Sequence, residues 1–342
     1  MKKRALAILT LAFITVSLLG CSKVVKSNIY LDMMNNNNSD KKVLFLAESQ
    51  SKDYPTTKGD YEFAKLVGER TNGKIEVKVI PNGGLGSEKD TLAQTQMGTI
   101  DFARVSLSAV SNYSDIMTIL MLPYIYRDSD HMWSVLNGQI GMKALDDIKK
   151  ANLLGLTFYD SGARSFYNNK KEIKTVSDLK SLRIRVQESE LMKSLVTSLG
   201  ATPTAMDSSI VMQSLALGTI DGAENNPATY VSTNQLSVAK YYTFDSHSRI
   251  PDILIASSKV MDSLSQEDQK IIKQAALDSV KVQKAEWKDN EDKMINTMKE
   301  KGVKITEIDE AAKEEFKNAV KPLYDKFAGQ NKDLLNQIDQ TK

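Results

Sequence analysis

The string Gly-Thr-Ile-Asp occurs twice, at 98–101 and at 218–221, each time after an apolar helical stretch and before a strand. A chain that repeats this passage has to bury the same helix-on-sheet arrangement twice, which points to two related α/β lobes. The surrounding pattern agrees. Residues 43–47 read as a first strand, 59–70 as a helix with Phe63, Leu66 and Val67 at helical spacing, and 75–79 as an alternating strand. Ser87 with Asp90 predicts the capped start of a helix that stops at Gly98, and 100–105 form the next strand. In the second half 153–159 and 183–186 read as strands, 177–181 as a short helix and 190–199 as a longer one; Asp207 caps another that ends at Gly218. From Gln266 to about Lys301 runs an unusually long helical stretch, with Ile271, Ile272, Ala275, Leu277, Val280 and Val282 along one side. No heptad continues past Lys284, so a scaffold crossing both lobes is expected in place of a coiled coil.

The N-terminus reads as an address. Lys2-Lys3-Arg4, an uncharged apolar run over 5–19, Gly20 and then Cys21 make the layout of a secretory signal. At ~1.5 Å per residue the run spans roughly 22 Å, short of a hydrocarbon core of roughly 30 Å, which argues against a permanent transmembrane helix. Cys21 closes a string that resembles a bacterial lipobox. Residues 1–20 are thus expected to be removed and Cys21 to carry a lipid, with 21–42, including the run Asn35 to Asn38, as a flexible tether. That places the body on the extracytoplasmic face of a bacterial membrane, in the periplasm or at the cell surface.

Composition and motifs exclude several classes of function. Lys and Arg number 45 against 43 Asp and Glu, a balance without the electrostatic footprint of a nucleic-acid binder. One cysteine and two histidines, His131 and His247, exclude a disulfide framework, a cysteine-based zinc site and the H-E-x-x-H pattern. No metal or cofactor is expected. Ser177-Asp178-Leu179-Lys180 has S-x-x-K spacing without the partner motifs of penicillin-recognising enzymes, 83–86 is not a P-loop, and G-x-S-x-G is absent. No acid/base pair stands out, so the chain is expected not to be an enzyme.

Four arginines are more informative. Arg164 lies just past a strand end, and Arg183 and Arg185 alternate in 182–186, which reads as placing them on opposite faces. One of the two then faces inward, where its planar fork is either a grip for a ligand carboxylate or half of a structural ion pair with Glu or Asp. Arg104 reads as structural. Glu224-Asn225-Asn226-Pro227 offers either partners for ligand hydroxyls or a turn bonding its own backbone.

Over roughly residues 43–330 the chain resembles the substrate-binding proteins of TRAP (tripartite ATP-independent periplasmic) transporters. The resemblance rests on Gly83-Gly84-Leu85-Gly86 with Glu88, Leu122-Pro123-Tyr124, Ser177-Asp178-Leu179-Lys180, Ile184-Arg185-Val186 and Gly200-Ala201-Thr202-Pro203, and on Gln213 followed by 217–222. It implies a two-lobed periplasmic-binding-protein (flytrap) α/β fold with mixed sheets and a long lobe-spanning helix. Lobe I would take 43–162 plus about 251–290, and lobe II 163–250 plus about 291–342. It also implies that Arg185 holds a ligand carboxylate, that Arg164 supports it, and that Asn225 in the second lobe and Glu48, Glu88 and Ser106 in the first contact the ligand. Residues 162–167, Arg185-Val186-Gln187, 223–226, Tyr241-Tyr242 and His247-Ser248 are similar to the uronate-binding branch. Gln187 and His247 thereby join the expected site, and D-glucuronate or D-galacturonate becomes the expected ligand. A C4-dicarboxylate or a sialate is the alternative within the family; an enzyme or a sensor partner for acidic sugars is the alternative outside it. The implied partner is an ion-gradient-driven membrane permease, and the protein is expected to be a monomer. Two departures stand out: Asp207-Ser208-Ser209-Ile210, where an aromatic commonly follows the acidic residue, and the lipid anchor itself.

Overall fold

The computed structural model describes residues 41–342; the expected signal, Cys21 and the tether as far as residue 40 lie outside them. No helix among the described residues is long and apolar enough to cross a membrane. The described residues form eleven strands: β1 (Lys42–Ala47), β2 (Ile75–Ile80), β3 (Phe102–Ser106), β4 (Leu153–Tyr159), β5 (Arg164–Asn168), β6 (Arg183–Val186), β7 (Thr202–Ala205), β8 (Gly222–Asn225), β9 (Tyr241–Ser248), β10 (Asp252–Ser257) and β11 (Lys304–Glu307). They form two sheets, ordered β2-β1-β3-β10-β4 and β11-β9-β5-β8-β6-β7.

The two sheets follow one scheme. In each, three parallel strands linked by helices lie in the order second, first, third: β2-β1-β3 and β7-β6-β8. An antiparallel strand then pairs with the third, β10 beside β3 and β5 beside β8. That antiparallel strand arrives from the other sheet, because the chain crosses between sheets after β4 and again after β9. Both sheets are therefore mixed, and neither is completed by one continuous stretch of chain.

The repeated Gly-Thr-Ile-Asp has a common structural job. Gly98 closes the helix Glu88–Met97 in the left-handed region at φ 76°, and Gly218 follows the helix Val211–Ala216 at φ 68°. The aspartate then accepts a hydrogen bond from the first of the three parallel strands of its own sheet. The Phe45 N–H donates to Asp101 Oδ2 at 2.7 Å, and the Arg183 N–H donates to Asp221 Oδ2 at 2.9 Å. Elsewhere local chemistry shifts the expected bounds. Pro55 supplies a ready first turn, so the helix expected from 59 runs from Pro55 to Arg70. The helix expected at 177 is a single 3₁₀ turn, Val176–Leu179, and the one after Asp207 begins as another, Ser208–Ile210.

The long helix spans Gln266–Glu300, capped where the Asp268 N–H donates to Ser265 Oγ at 3.1 Å. Ile272, Ala275 and Ala276 pack into the core of the first sheet, Trp287 packs with Tyr54 and Ala228 between the sheets, and Met298 enters the core of the second. Its seam is less apolar than expected. Leu277 is 52% exposed, whereas Ser279 and Gln283 are buried. Gln283 earns its place by accepting from the Asp160 N–H at 2.8 Å and donating to the Asp160 carbonyl at 2.9 Å. At the C-terminus the helix Lys332–Gln340 is tied back to residues beside the first sheet, with Arg127 donating to the carbonyls of Asp339 and Thr341.

Gly162, in the crossover after β4, has φ 62°, and a Cβ there would lie 2.8 Å from Trp287 Cζ2. Gly218 has a similar φ with open space around it. Gly218→Ala should cost about 1–2 kcal/mol from backbone conformation alone. Gly162→Ala should cost a further ~1–3 kcal/mol from overpacking. Denaturant titration of both variants checks this; equal losses would mean that Trp287 moves aside freely.

Candidate functional site

A cavity of about 510 Å³ lies between the two sheets. It sits where parallel strands end and antiparallel ones begin, the usual position for a ligand in open α/β sheets. Ser106 ends β3, Arg185 is next to last in β6 and Asn225 ends β8, while Arg164 and Asp252 open β5 and β10. All five line the cavity, with Glu88 from the start of its helix and Gln187 from the loop after β6. Six of the eight expected site residues (Arg185, Arg164, Asn225, Gln187, Glu88 and Ser106) are thus brought together. Glu48 and His247 are not at its surface; both are buried behind it, each against an arginine's own carboxylate partner or against the arginine itself.

The three cavity arginines differ in what they have left to offer. Arg104 donates from Nε to Glu48 Oε2 at 2.9 Å and from Nη2 to Glu48 Oε1 and to Ser49 Oγ. Its Nη1 donates to Glu88 Oε1 at 2.8 Å and stands 3.3 Å from Asp252 Oδ2. Three carboxylates cage one guanidinium, the structural role expected. Arg164 donates from Nε and Nη2 to the Glu224 carboxylate at 2.5 and 2.9 Å, from Nη2 to the Glu224 carbonyl, and from Nη1 to Asn225 Oδ1 at 3.0 Å. Arg185 is different: Nε and Nη2 donate only to the Met206 carbonyl, at 3.0 and 2.7 Å. Among the described residues it has no carboxylate partner. Burial, with help from Arg164, lowers its pKa, against the pull of Glu224.

Arg183 and Arg185 do not lie on opposite faces as expected, because residues two apart in a strand share a face. They separate along the strand. Arg183, its side chain 44% exposed, forms a bidentate pair with Asp221, while Arg185 is buried at the cavity end. In 224–227 both open readings apply, to different residues. Asn226 caps the helix Pro227–Ser232 by accepting from the Thr229 N–H at 2.7 Å, and Asn225 lines the cavity.

Behind Arg164 lies a buried charge relay. His247 Nε2 is 3.4 Å from Glu224 Oε2, and His247 Nδ1 is 2.7 Å from Asp245 Oδ2. Burial opposes the imidazolium, but Asp245 and Glu224 outweigh it and hold the His247 pKa at about 9. Burial also opposes the Glu224 carboxylate; Arg164 and His247 outweigh it and bring its pKa to about 2. On the facing wall burial pushes Asp252 up to about 7, Arg104 only partly compensating.

Hydrogen bonds cross the cleft at two places. Gln187 Nε2 donates to Ser106 Oγ at 2.9 Å, and the Tyr54 hydroxyl lies 2.8 Å from that of Thr229 and 3.4 Å from Asn226 Oδ1. Tyr54, Thr229 and Asp252 were not in the expected set. Asp252 had a legible signal, a lone acid at the head of the apolar run 253–256. At the departure noted after Asp207, the small side chain of Ser208 lines the cavity.

Two mixed sheets closing on a cavity with an uncompensated arginine define a two-lobed solute-binding receptor. The chain belongs to the bacterial extracellular solute-binding proteins, family 7 (DctP), whose family model matches residues 46–331. It is a TRAP solute receptor, in a family of periplasmic binding proteins for organic acids that serve TRAP permeases. A TRAP periplasmic solute-binding protein from Bradyrhizobium sp. BTAi1, in complex with α/β-D-galacturonate, is 40% identical, with a TM-score of 0.86 over 88% of this chain and 100% of that one. One from Pseudomonas putida F1 with bound D-glucuronate is 32% identical, with a TM-score of 0.85 over 88% and 97%. A solute-binding protein of Chromohalobacter salexigens is 34% identical over 281 residues, 82% of this chain and 83% of its own.

A histidine whose pKa is raised from the ordinary ~6.5 gives stability that is complete below ~6.5 and is lost as pH rises through the folded value. His247 should therefore make the melting temperature fall between about pH 6.5 and about 9. In His247→Gln that stretch of the profile should flatten. An unchanged slope in the variant would assign the loss to other groups.

Proposed function

We propose that this receptor takes a hexuronate, D-galacturonate or D-glucuronate, whose single carboxylate pairs with Arg185. The observation that carries the reading is Arg185 itself: buried, lining the cavity, and without a carboxylate partner among the described residues. An unpaired buried cation is costly, and a ligand carboxylate removes that cost while accepting from the fork. Arg164, Asn225 and Gln187 beside it, and Glu88 and Ser106 opposite, supply donors and acceptors for sugar hydroxyls. The uronates bound by the relatives from Bradyrhizobium and Pseudomonas support the choice of acid.

In this reading 43–162 with about 251–290, and 163–250 with about 291–342, form the two closing bodies, turning about the crossovers after β4 and β9, with the C-terminal helix Lys332–Gln340 bridging back to the first body. Cys21 carries the lipid that keeps the monomeric receptor at the membrane, where it delivers its ligand to an ion-gradient-driven permease.

Calorimetric titration with D-galacturonate, D-glucuronate, a sialate, succinate and neutral hexoses tests the ligand. A uronate should bind selectively, and Arg185→Ala should weaken it by about 3 kcal/mol, roughly 100-fold, without lowering the melting temperature. Unaltered binding in the variant removes Arg185 from the site; preference for succinate or a sialate removes the uronate.

A further inference from the structure

The cavity is electrically lopsided. Of the five N–H groups of each guanidinium, four of Arg164's and four of Arg104's are already hydrogen-bonded within the protein, and Arg104's Nη1 also faces Asp252. Arg185 uses only two, which leaves three for a ligand. The wall fed by the first sheet has the opposite character. Glu88 and Asp252 line it, Glu48 stands directly behind Arg104, and these three carboxylates share that one cation. Lys89 and, on the Arg185 side, Glu188 and Asp207 also line the cavity; Lys89 and Glu188 are exposed, and Asp207 is half-buried and accepts from the Ser209 N–H at 2.9 Å.

Resting on the hexuronate reading, we infer that the receptor discriminates against diacids, with Asp252 and Glu88 as the specificity-determining residues. One ligand carboxylate is met by Arg185. A second, at the far end of a sugar-sized molecule, would face Glu88 and Asp252, whose oxygens accept from hydroxyls and, when ionised, repel another anion. The site thus selects polyhydroxy acids carrying one acid group and rejects the corresponding aldarates, in which the terminal carbon is oxidised to a second carboxylate.

Competitive calorimetry of the purified protein with D-galacturonate, D-glucuronate and D-gluconate, against galactarate and D-glucarate, reads the preference. The best single acid should bind at least tenfold more tightly than the best diacid. Because rings and open chains differ in shape, the deciding number is the change of that ratio in a variant with the same ligands. Asp252→Asn should shrink it at least fivefold, and Glu88→Gln should do the same if Asp252→Asn fails to fold. A diacid within tenfold of the best single acid, or a ratio unmoved in every variant that folds, overturns the inference. Binding of gluconate without either uronate, at the same preference over glucarate, overturns the hexuronate reading and leaves the discrimination standing. A protein that binds none of the acids overturns both.

Discussion

Each sheet is completed by a strand that the chain delivers from the other, and the position of the site follows from that exchange. A strand entering antiparallel beside a parallel neighbour starts where the neighbour ends. Arg164 and Asp252, the first residues of β5 and β10, are for this reason held at the carboxyl ends of β8 and β3, Arg164 beside Asn225 and Asp252 opposite Ser106 in the ladder. Side chains placed on paired strands in this way keep their geometry without help from loops. In the closure proposed above, the crossovers that make the exchange are also the hinge, so that binding surface and hinge would come from one topological device.

The exchange brings several charges into a small buried volume, and their arrangement decides what remains for a ligand. A buried ion pair contributes little net stability, because desolvation offsets most of its attraction, but breaking one is strongly destabilising. Arg164 and Glu224, with His247 and Asp245 behind them, are mutually satisfied and act as a fixed floor. Arg104 is satisfied several times over by the facing wall. Against these satisfied pairs Arg185 stands out, held in place by a backbone carbonyl and, among the described residues, by no carboxylate partner. The case for Arg185 as the proposed ligand-binding cation thus rests on the whole set of partners and not on any one residue.

That is also the limit of what the sequence could disclose. The parallel units were legible because they depend on local signals: Ser87 reaching Asp90, Gly98 and Gly218 stopping helices, alternation in 75–79. β5 and β9 were not, since site and core together ask them for Arg164, Asn168, Asp245 and His247, which spoil an apolar pattern. β7, β8 and β11 have four residues each, too few for periodicity to register. The helices between β3 and β4 were likewise not anticipated. Among the arginines, partner choice was invisible because Glu224 lies 60 residues from Arg164 and Glu48 lies 56 from Arg104. The resemblance to known receptors named Arg185 without saying why; the reason is visible only once the other cations are seen to be spent.

The strand exchange has a further consequence, for the time at which the protein can fold. The first sheet lacks the strand between β3 and β4 until residues 252–257 have been synthesised, and its core lacks Ile272, Ala275 and Ala276 until the long helix follows. The second sheet lacks its edge strand β11, and its core lacks Met298, until later still. Contacts so distant along the chain are slow to form, and no early segment can settle into a finished lobe as it leaves the ribosome. Such a topology defers the finished fold of either lobe until nearly all of the chain exists.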